Sequence, residues 1–414
     1  MINLIYKIKE KAGFYRLLFA VSSSLLIFTL HAQASTTTIL HSFANLKNDA
    51  EHPYAGLIQY PVDGSLYGTA FNGNVFPGEV FKITTSGSIS TIHQFGDGSV
   101  MHDGSNPQAA LTYEASTGYL YGTTVNGGSS GYGTIFQYVP GGIIMPPTFT
   151  IQHSFGDGSV TNDGLYPMAS LLRAADGNFY GTASEGGSAH SGIVFKLTSA
   201  GAYTILHHFG DGSVSNDGTI PVANLIQAAD GNFYGTTGLG GAHAGGTVFK
   251  ITSGGAVTII HSFGGFNDGA YPQAGLIQST DGNLYGTTVG GSSTTGTLND
   301  GIVFKMSTAG AETILHSFGS VTNDGIGPVA SLVRGTDGNF YGTTSAGGSA
   351  SKGTTFKITS AGSVTILHSF GDGSVTNDGS DPEACLIQAT DGNFYGTTAG
   401  GGASNLGTVF KLVP

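Results

Sequence analysis

Seven Tyr-Gly-Thr words at near-equal spacing, four short β-rich runs around each, and one run displaced from the C-terminus to the N-terminus predict an all-β chain. The architecture they imply is a seven-bladed β-propeller with four antiparallel strands per blade. The word begins at Tyr67, Tyr121, Tyr180, Tyr234, Tyr285, Tyr341 and Tyr395, at spacings of 51–59 residues. A Pro-x-Ala word precedes each copy, at Pro53, Pro107, Pro167, Pro221, Pro272, Pro328 and Pro382. Repeats of this length override the division into two or three domains that 414 residues would otherwise suggest.

Each unit reads as four strands. PxAxLIQ is the first, and an Asp-Gly-Asn turn leads to the second, NFYGTT. A Gly- and Ser-rich loop leads to the third, GTVFKIT, and a SAG-type turn to the fourth, TILHSF. Asp-Gly and Gly-containing links between short β-rich runs are hairpin signals. No ten-residue stretch of the unit has helical periodicity. Runs such as VTILHSF are apolar on both sides of the pleat, which suits a sheet held between two neighbours.

Counting the words predicts how the ring closes. The third-strand Phe occurs seven times, from Phe81 to Phe410. The fourth-strand word also occurs seven times, but its first copy, Thr38–Phe43, precedes the first Pro-x-Ala, and its last ends at Phe370. Residues 36–43 are therefore expected to pair beside the last run, GTVFKLVP, and complete the seventh blade. Such pairing removes a free sheet edge. A linear solenoid needs no such permutation and has atypical end repeats.

Composition supports an ordered chain. Gly is abundant at 69 residues and charged residues make up only 10%, yet Phe, Tyr, Ile, Val and Thr are plentiful. Disordered chains lack those types. Lys7, Lys9, Lys11 and Arg16 precede an apolar run from Leu17 to Leu30, and Ala32-Gln33-Ala34 offers a small-x-small cleavage site. Residues 1–34 are thus read as a secretory signal peptide, leaving 35–414 as one propeller. Fourteen apolar residues fall short of the ~20 that span a bilayer, and no later stretch is long enough. Secretion or a periplasmic location is expected. Without residues 1–34 the chain keeps 10 basic and 25 acidic residues. That balance argues against nucleic acid, which needs a basic footprint. Cys385 is the only cysteine, so no internal disulfide can form.

The unit PxAxLIQATDGNFYGTTxxGGxxxxGTVFKITxxGxxTILHSF resembles the GloVer (Gloeobacter/Verrucomicrobia) tandem repeat of exported bacterial proteins. The resemblance covers nearly the whole chain after residue 34. It implies export and repeat architecture and supplies no catalytic residues to transfer. Because the chain has no Trp, it lacks a WD dipeptide, a quinoprotein tryptophan-docking motif and a sialidase Asp-box.

Residues that recur once per blade are read as scaffold. Equivalent fourth-strand histidines (His41, His93, His153, His207, His261, His316, His368) would lie well over ~10 Å apart, too far to share a metal bound at ~2.1 Å. The aspartates of the D-x3-P word, from Asp49 to Asp378, are expected to fasten blade-to-blade links through backbone amides. The loop at 156–164, repeated at 371–379, alternates oxygen donors. It lacks the sixth-position Gly and terminal Glu of an EF-hand, so turn chemistry is expected there, with calcium the alternative and no other cofactor. The third-strand Lys (Lys82, Lys196, Lys250, Lys305, Lys357, Lys411) is read as a solvated or edge-protecting charge. The Tyr-Gly-Thr glycine is read as a close approach or a bulge.

Strand alternation puts the long two–three and four–one links on one face of the ring, where binding tends to reside. Residues flanking the prolines should sit near the channel mouth. His52 and Tyr54 of blade one, Asn106 and Gln108 of blade two, and Asp381 and Glu383 of blade seven form one polar arc. Blades four and six carry Ile220, Val222, Gly327 and Val329 instead. The arc is the expected ligand site, for a sugar or a cation. The favoured function is an exported, monomeric, non-enzymatic binding protein for a glycan, small molecule or surface protein. The alternative is a glycan-acting hydrolase or lyase with Glu383, Asp381 and His52 as acid/base groups, since glycosidases place two carboxylates across a sugar. Tyr54, Tyr166 and Tyr271 would then replace Trp as stacking platforms.

Overall fold

A strand that is apolar on both faces is stable only when covered on both sides, and a ring of radial sheets provides that cover. The computed structural model describes residues 35–44, 49–73, 75–141, 146–265, 268–291 and 300–414. The expected signal peptide at 1–34 lies outside the described residues. Among these residues there are seven four-stranded antiparallel sheets and no helix, which is the seven-bladed propeller. The third blade shows the pattern: Leu172–Arg173, Phe179–Ala183, Ile193–Leu197 and Tyr203–His208 pair in chain order. The Tyr-Gly-Thr strands are buried, as all five residues of Phe179–Ala183 are; only Tyr119, opening the six-residue strand of blade two, is partly exposed.

The seventh blade takes its strands from both chain ends. Ile387–Gln388, Phe394–Thr398 and Thr408–Val413 are completed by Thr36–Ser42. Thr36 lies opposite Val413, Ile39 opposite Phe410 and Ser42 opposite Thr408. Just beyond it, Phe43 is fully buried and meets Phe81 of blade one edge-on at 5.6 Å.

The threonine of each Tyr-Gly-Thr word stitches the ring. Thr69, Thr123, Thr182, Thr236, Thr287 and Thr343 each donate to the Pro-x-Ala carbonyl of the next blade at 3.0–3.2 Å. Thr397 donates to Ala55 at 2.9 Å and joins the last blade to the first. The neighbouring glycine is a close approach: a Cβ on Gly235 would sit 2.7 Å from both Leu225 and the Phe249 ring.

One residue is bulged out of every fourth strand, for example Leu206 between Ile205 and His207. Such a bulge re-aims the side chain that follows. Each of the seven histidines meets the link aspartate through Nε2 at 2.9–3.2 Å. The same carboxylates accept backbone N–H groups of the link, as Asp163 does from Gly156 at 3.0 Å. This His–Asp pair recurs in all seven blades, as the repeat pattern predicts.

One expectation needs correction. The third strand lies inside the sheet, so its lysine protects no edge. Six lysines instead pair with the Asp of the Asp-Gly turn at 2.6–3.7 Å. In blade two Gln137 bonds the Tyr121 hydroxyl at 2.5 Å, and Glu114 pairs with Arg173 of blade three at 2.6 Å. The long links carry short regular pairing of their own. In each blade they form a two-stranded ribbon, such as Gly104–Ser105 against Asn126–Gly127. That pairing confirms that both links share one face.

Candidate functional site

The innermost run of each blade contributes three residues to the wall of a central channel, from Tyr54-Ala55-Gly56 in blade one to Glu383-Ala384-Cys385 in blade seven. The cavity there is about 110 Å³, room for a few waters at ~30 Å³ each. The alanine of each triplet is buried, because its carbonyl receives the threonine bond of the preceding blade. The residue before each alanine therefore sets the channel chemistry. It is Tyr54, Gln108, Met168, Val222, Gln273, Val329 or Glu383.

The residue before each proline adopts a backbone conformation that sequence reasoning missed. His52, Asn106, Tyr166, Ile220, Tyr271 and Asp381 have φ of 54–60°, and Gly327 has 67°. For a β-branched residue such as Ile220 this is an outlier, and each such residue costs on the order of 1–3 kcal/mol. Two hydrogen bonds hold it. The His52 N–H donates to Leu406 O of the preceding blade at 2.9 Å, and Phe71 N–H donates to His52 O at 3.2 Å. Asp381 repeats the arrangement with Lys352 O and Ala399 N–H. The site residues thus sit on a rigid seam rather than on free loops.

Tyr54, Gln108 and Glu383 line the channel together. Burial, then the neighbouring Asp381 carboxylate, push the Glu383 carboxyl up from its ordinary value. Burial, Glu383 and Asp381 in turn raise the Tyr54 phenol. These three form one electronegative group across the seam of blades seven and one. No cationic side chain contributes to either shift. His52 stacks beside Tyr54 at 6.4 Å, and its Nδ1 donates to Ala399 O at 2.8 Å. Asn106 is committed to the fold: its amide donates to Phe71 O at 3.1 Å, and its carbonyl accepts from Asn126 at 3.3 Å.

Sequence reasoning missed Cys385, whose thiol lies in the channel wall, where burial raises its pKa. It also missed Glu312 on the rim, which lies 3.4 Å from His261 of the preceding blade. The one signal in the sequence was that Glu312 breaks the apolar start of a TILHSF run. Burial and Asp268 push its carboxyl up to about 8.

The fold is shared with solved propellers. Virginiamycin B lyase from Staphylococcus aureus is 12% identical over 92% of this chain and 99% of its own, with a TM-score of 0.57. Its catalytically inactive variant with quinupristin gives 13% identity, the same coverage and a TM-score of 0.58. The extracellular domain of a hybrid two-component system from B. thetaiotaomicron is 12% identical over 89% of this chain and 39% of its own, at 0.56. No curated protein matches the chain. No helix among the described residues is long and apolar enough to cross a membrane. The Gloeobacter/Verrucomicrobia repeat matches residues 20–215, 143–328 and 289–414, and the chain belongs to that repeat family.

Proposed function

We propose that this is an exported, non-enzymatic binding propeller whose channel mouth, at the seam of blades seven and one, takes a small ligand bearing a positive charge. The observation that carries the reading is the Asp381–Glu383–Tyr54 group, which is paired with no Lys or Arg among the described residues. An ammonium group on a ligand would supply the positive charge, and charge-assisted hydrogen bonds to carboxylates are among the stronger ones. Met168 and Val222 of blades three and four, across the ring, and Val329 of blade six, beside Glu383, give apolar surface for the rest of the ligand. The cavity of about 110 Å³ is well below the ~300–1,000 Å³ of enclosed ligand pockets. It admits a tip and not a whole sugar ring between two carboxylates, which weighs against the hydrolase reading.

Calorimetric titration of the purified chain with spermidine, glucosamine and glucose tests this. Binding of the two amines, weakened at least tenfold in Glu383→Gln and in Asp381→Asn, is the expected result. Equal binding by these variants, or glucose binding as tightly as glucosamine, would overturn it.

A further inference from the structure

We propose that His261, Asp268 and Glu312 form a divalent-metal site of the zinc class on the rim, between the outer strands of blades four and five. It stands independently of the channel-mouth reading.

The seven repeats supply the internal comparison. In every blade the fourth-strand His is paired to a link Asp, and the next blade brings one residue up beside it. That residue lies four positions before the next blade's own His. Phe149 stacks on His93 at 3.8 Å, and Tyr203 stacks on His153 at 3.9 Å. The equivalents elsewhere are Thr37, Ile89, Val257 and Val364. Blade five alone has a carboxylate, Glu312. The scaffold therefore does not need an acid at this position.

The donor atoms converge. His261 Nε2 lies 3.2 Å from both Asp268 oxygens and 3.4 Å from Glu312 Oε2. Zinc bonds of ~2.0–2.2 Å in tetrahedral geometry separate ligand atoms by about 3.3–3.5 Å, so an ion fits with small shifts. One imidazole and two carboxylates leave the fourth position to water. Glu312 Oε1 is buried and has no hydrogen-bond partner among the described residues. Such an orphan is costly unless something satisfies it. The Asp268 carboxylate is already oriented, accepting from Gly269 N–H at 2.8 Å and Gly265 N–H at 3.4 Å. Backbone bonds of this kind fix the ligands of a metal. No Lys or Arg pairs with either acid among the described residues; His261 is their shared partner.

A second group of donors, His368, Asp372 and Asp378, differs. Asp372 bonds Ser374 N–H in a turn, and Asp97, Asp157 and Asp211 make the same bond in other blades. It is part of the repeat.

The test is calorimetric titration of zinc chloride into the chelator-stripped full chain, alongside Glu312→Val and Glu312→Gln. Valine fills this position in blades four and six of the ring's own repeats as Val257 and Val364, so that variant should fold; glutamine keeps the side-chain size and decides the matter if it does not. One zinc per chain, bound at least tenfold more tightly than by either variant, is expected. Equal binding by wild type and variants, or no zinc bound by the wild type up to millimolar concentration, would overturn the site.

Discussion

Replacing Glu79 with threonine should change how stability depends on pH. Glu79 opens the third strand of blade one and is 3% exposed. Burial is the main cause that pushes its carboxyl from 4.5 up to about 8, with Asp49 adding to the rise; a hydrogen bond from Thr91 opposes it. Four other blades place a threonine at this position, and it pairs with a second-strand threonine, as Thr134 does with Thr124 at 2.8 Å. In blade one that partner is Ala70. The folded pKa is raised above the unfolded value. Between pH 4.5 and 8 the folded state therefore keeps a proton that the unfolded state has released. Stability from this group is fully present below about pH 4.5 and is lost as pH rises through 8. At about 1.4 kcal/mol per pH unit, the loss is about 3 kcal/mol by pH 7 and about 5 kcal/mol once both states are ionised. That is a large share of the ~5–15 kcal/mol of a typical domain. Urea unfolding of wild type and Glu79→Thr at pH 5, 6, 7 and 8 measures it. The variant should gain roughly 2–3 kcal/mol on the wild type between pH 5 and pH 7. Parallel stability curves for the two proteins would refute the reasoning.

Two further predictions concern the ring. Phe43→Ala, in the residue that follows the closing strand, should cost about 3–5 kcal/mol by urea unfolding, the range for a fully buried Phe; deletion of 36–43 should leave an open edge and yield aggregates by size-exclusion chromatography. Gly235→Ala should cost about 1–3 kcal/mol through overpacking against Leu225 and Phe249, whereas alanine at Gly231, which has open space around it but a φ of 80°, should cost only its backbone strain, about 1–2 kcal/mol.

Much of the ring was legible because its devices recur in side chains. The displaced Thr38–Phe43 word announced the closure by counting, and the closing strand pairs as expected. The role of Thr397 was hidden, because its bond to Ala55 spans the two ends of the chain. The ribbons were hidden for a different reason. Pairs such as Gly379–Ser380 and Gly400–Gly401 have almost no side chain to alternate. The left-handed residue before each proline was masked by its variety. Asn106, Asp381 and Gly327 suit that conformation, but His52, Tyr166, Ile220 and Tyr271 do not announce it. At the channel mouth, the placement of Tyr54, Gln108 and Glu383 followed from the word Pro-x-Ala. The use of Asn106 in the fold did not, because its partners Phe71 and Asn126 lie on other links. Glu312 meets His261 only across a blade boundary, whose register no single repeat encodes.

The channel mouth at the seam of blades seven and one depends on Thr36–Ser42 lying beside Thr408–Val413, and a cross-link tests that directly. Thr38 lies opposite Lys411, and opposite residues of an antiparallel pair hold their Cβ atoms ~4.5–5.5 Å apart, close to the span of a disulfide. In a Cys385→Ala background, Thr38→Cys with Lys411→Cys should close under mild oxidation, shift mobility on a non-reducing gel and raise the urea midpoint. Two thiols that stay free and titratable in the folded, oxidised protein would contradict the ring.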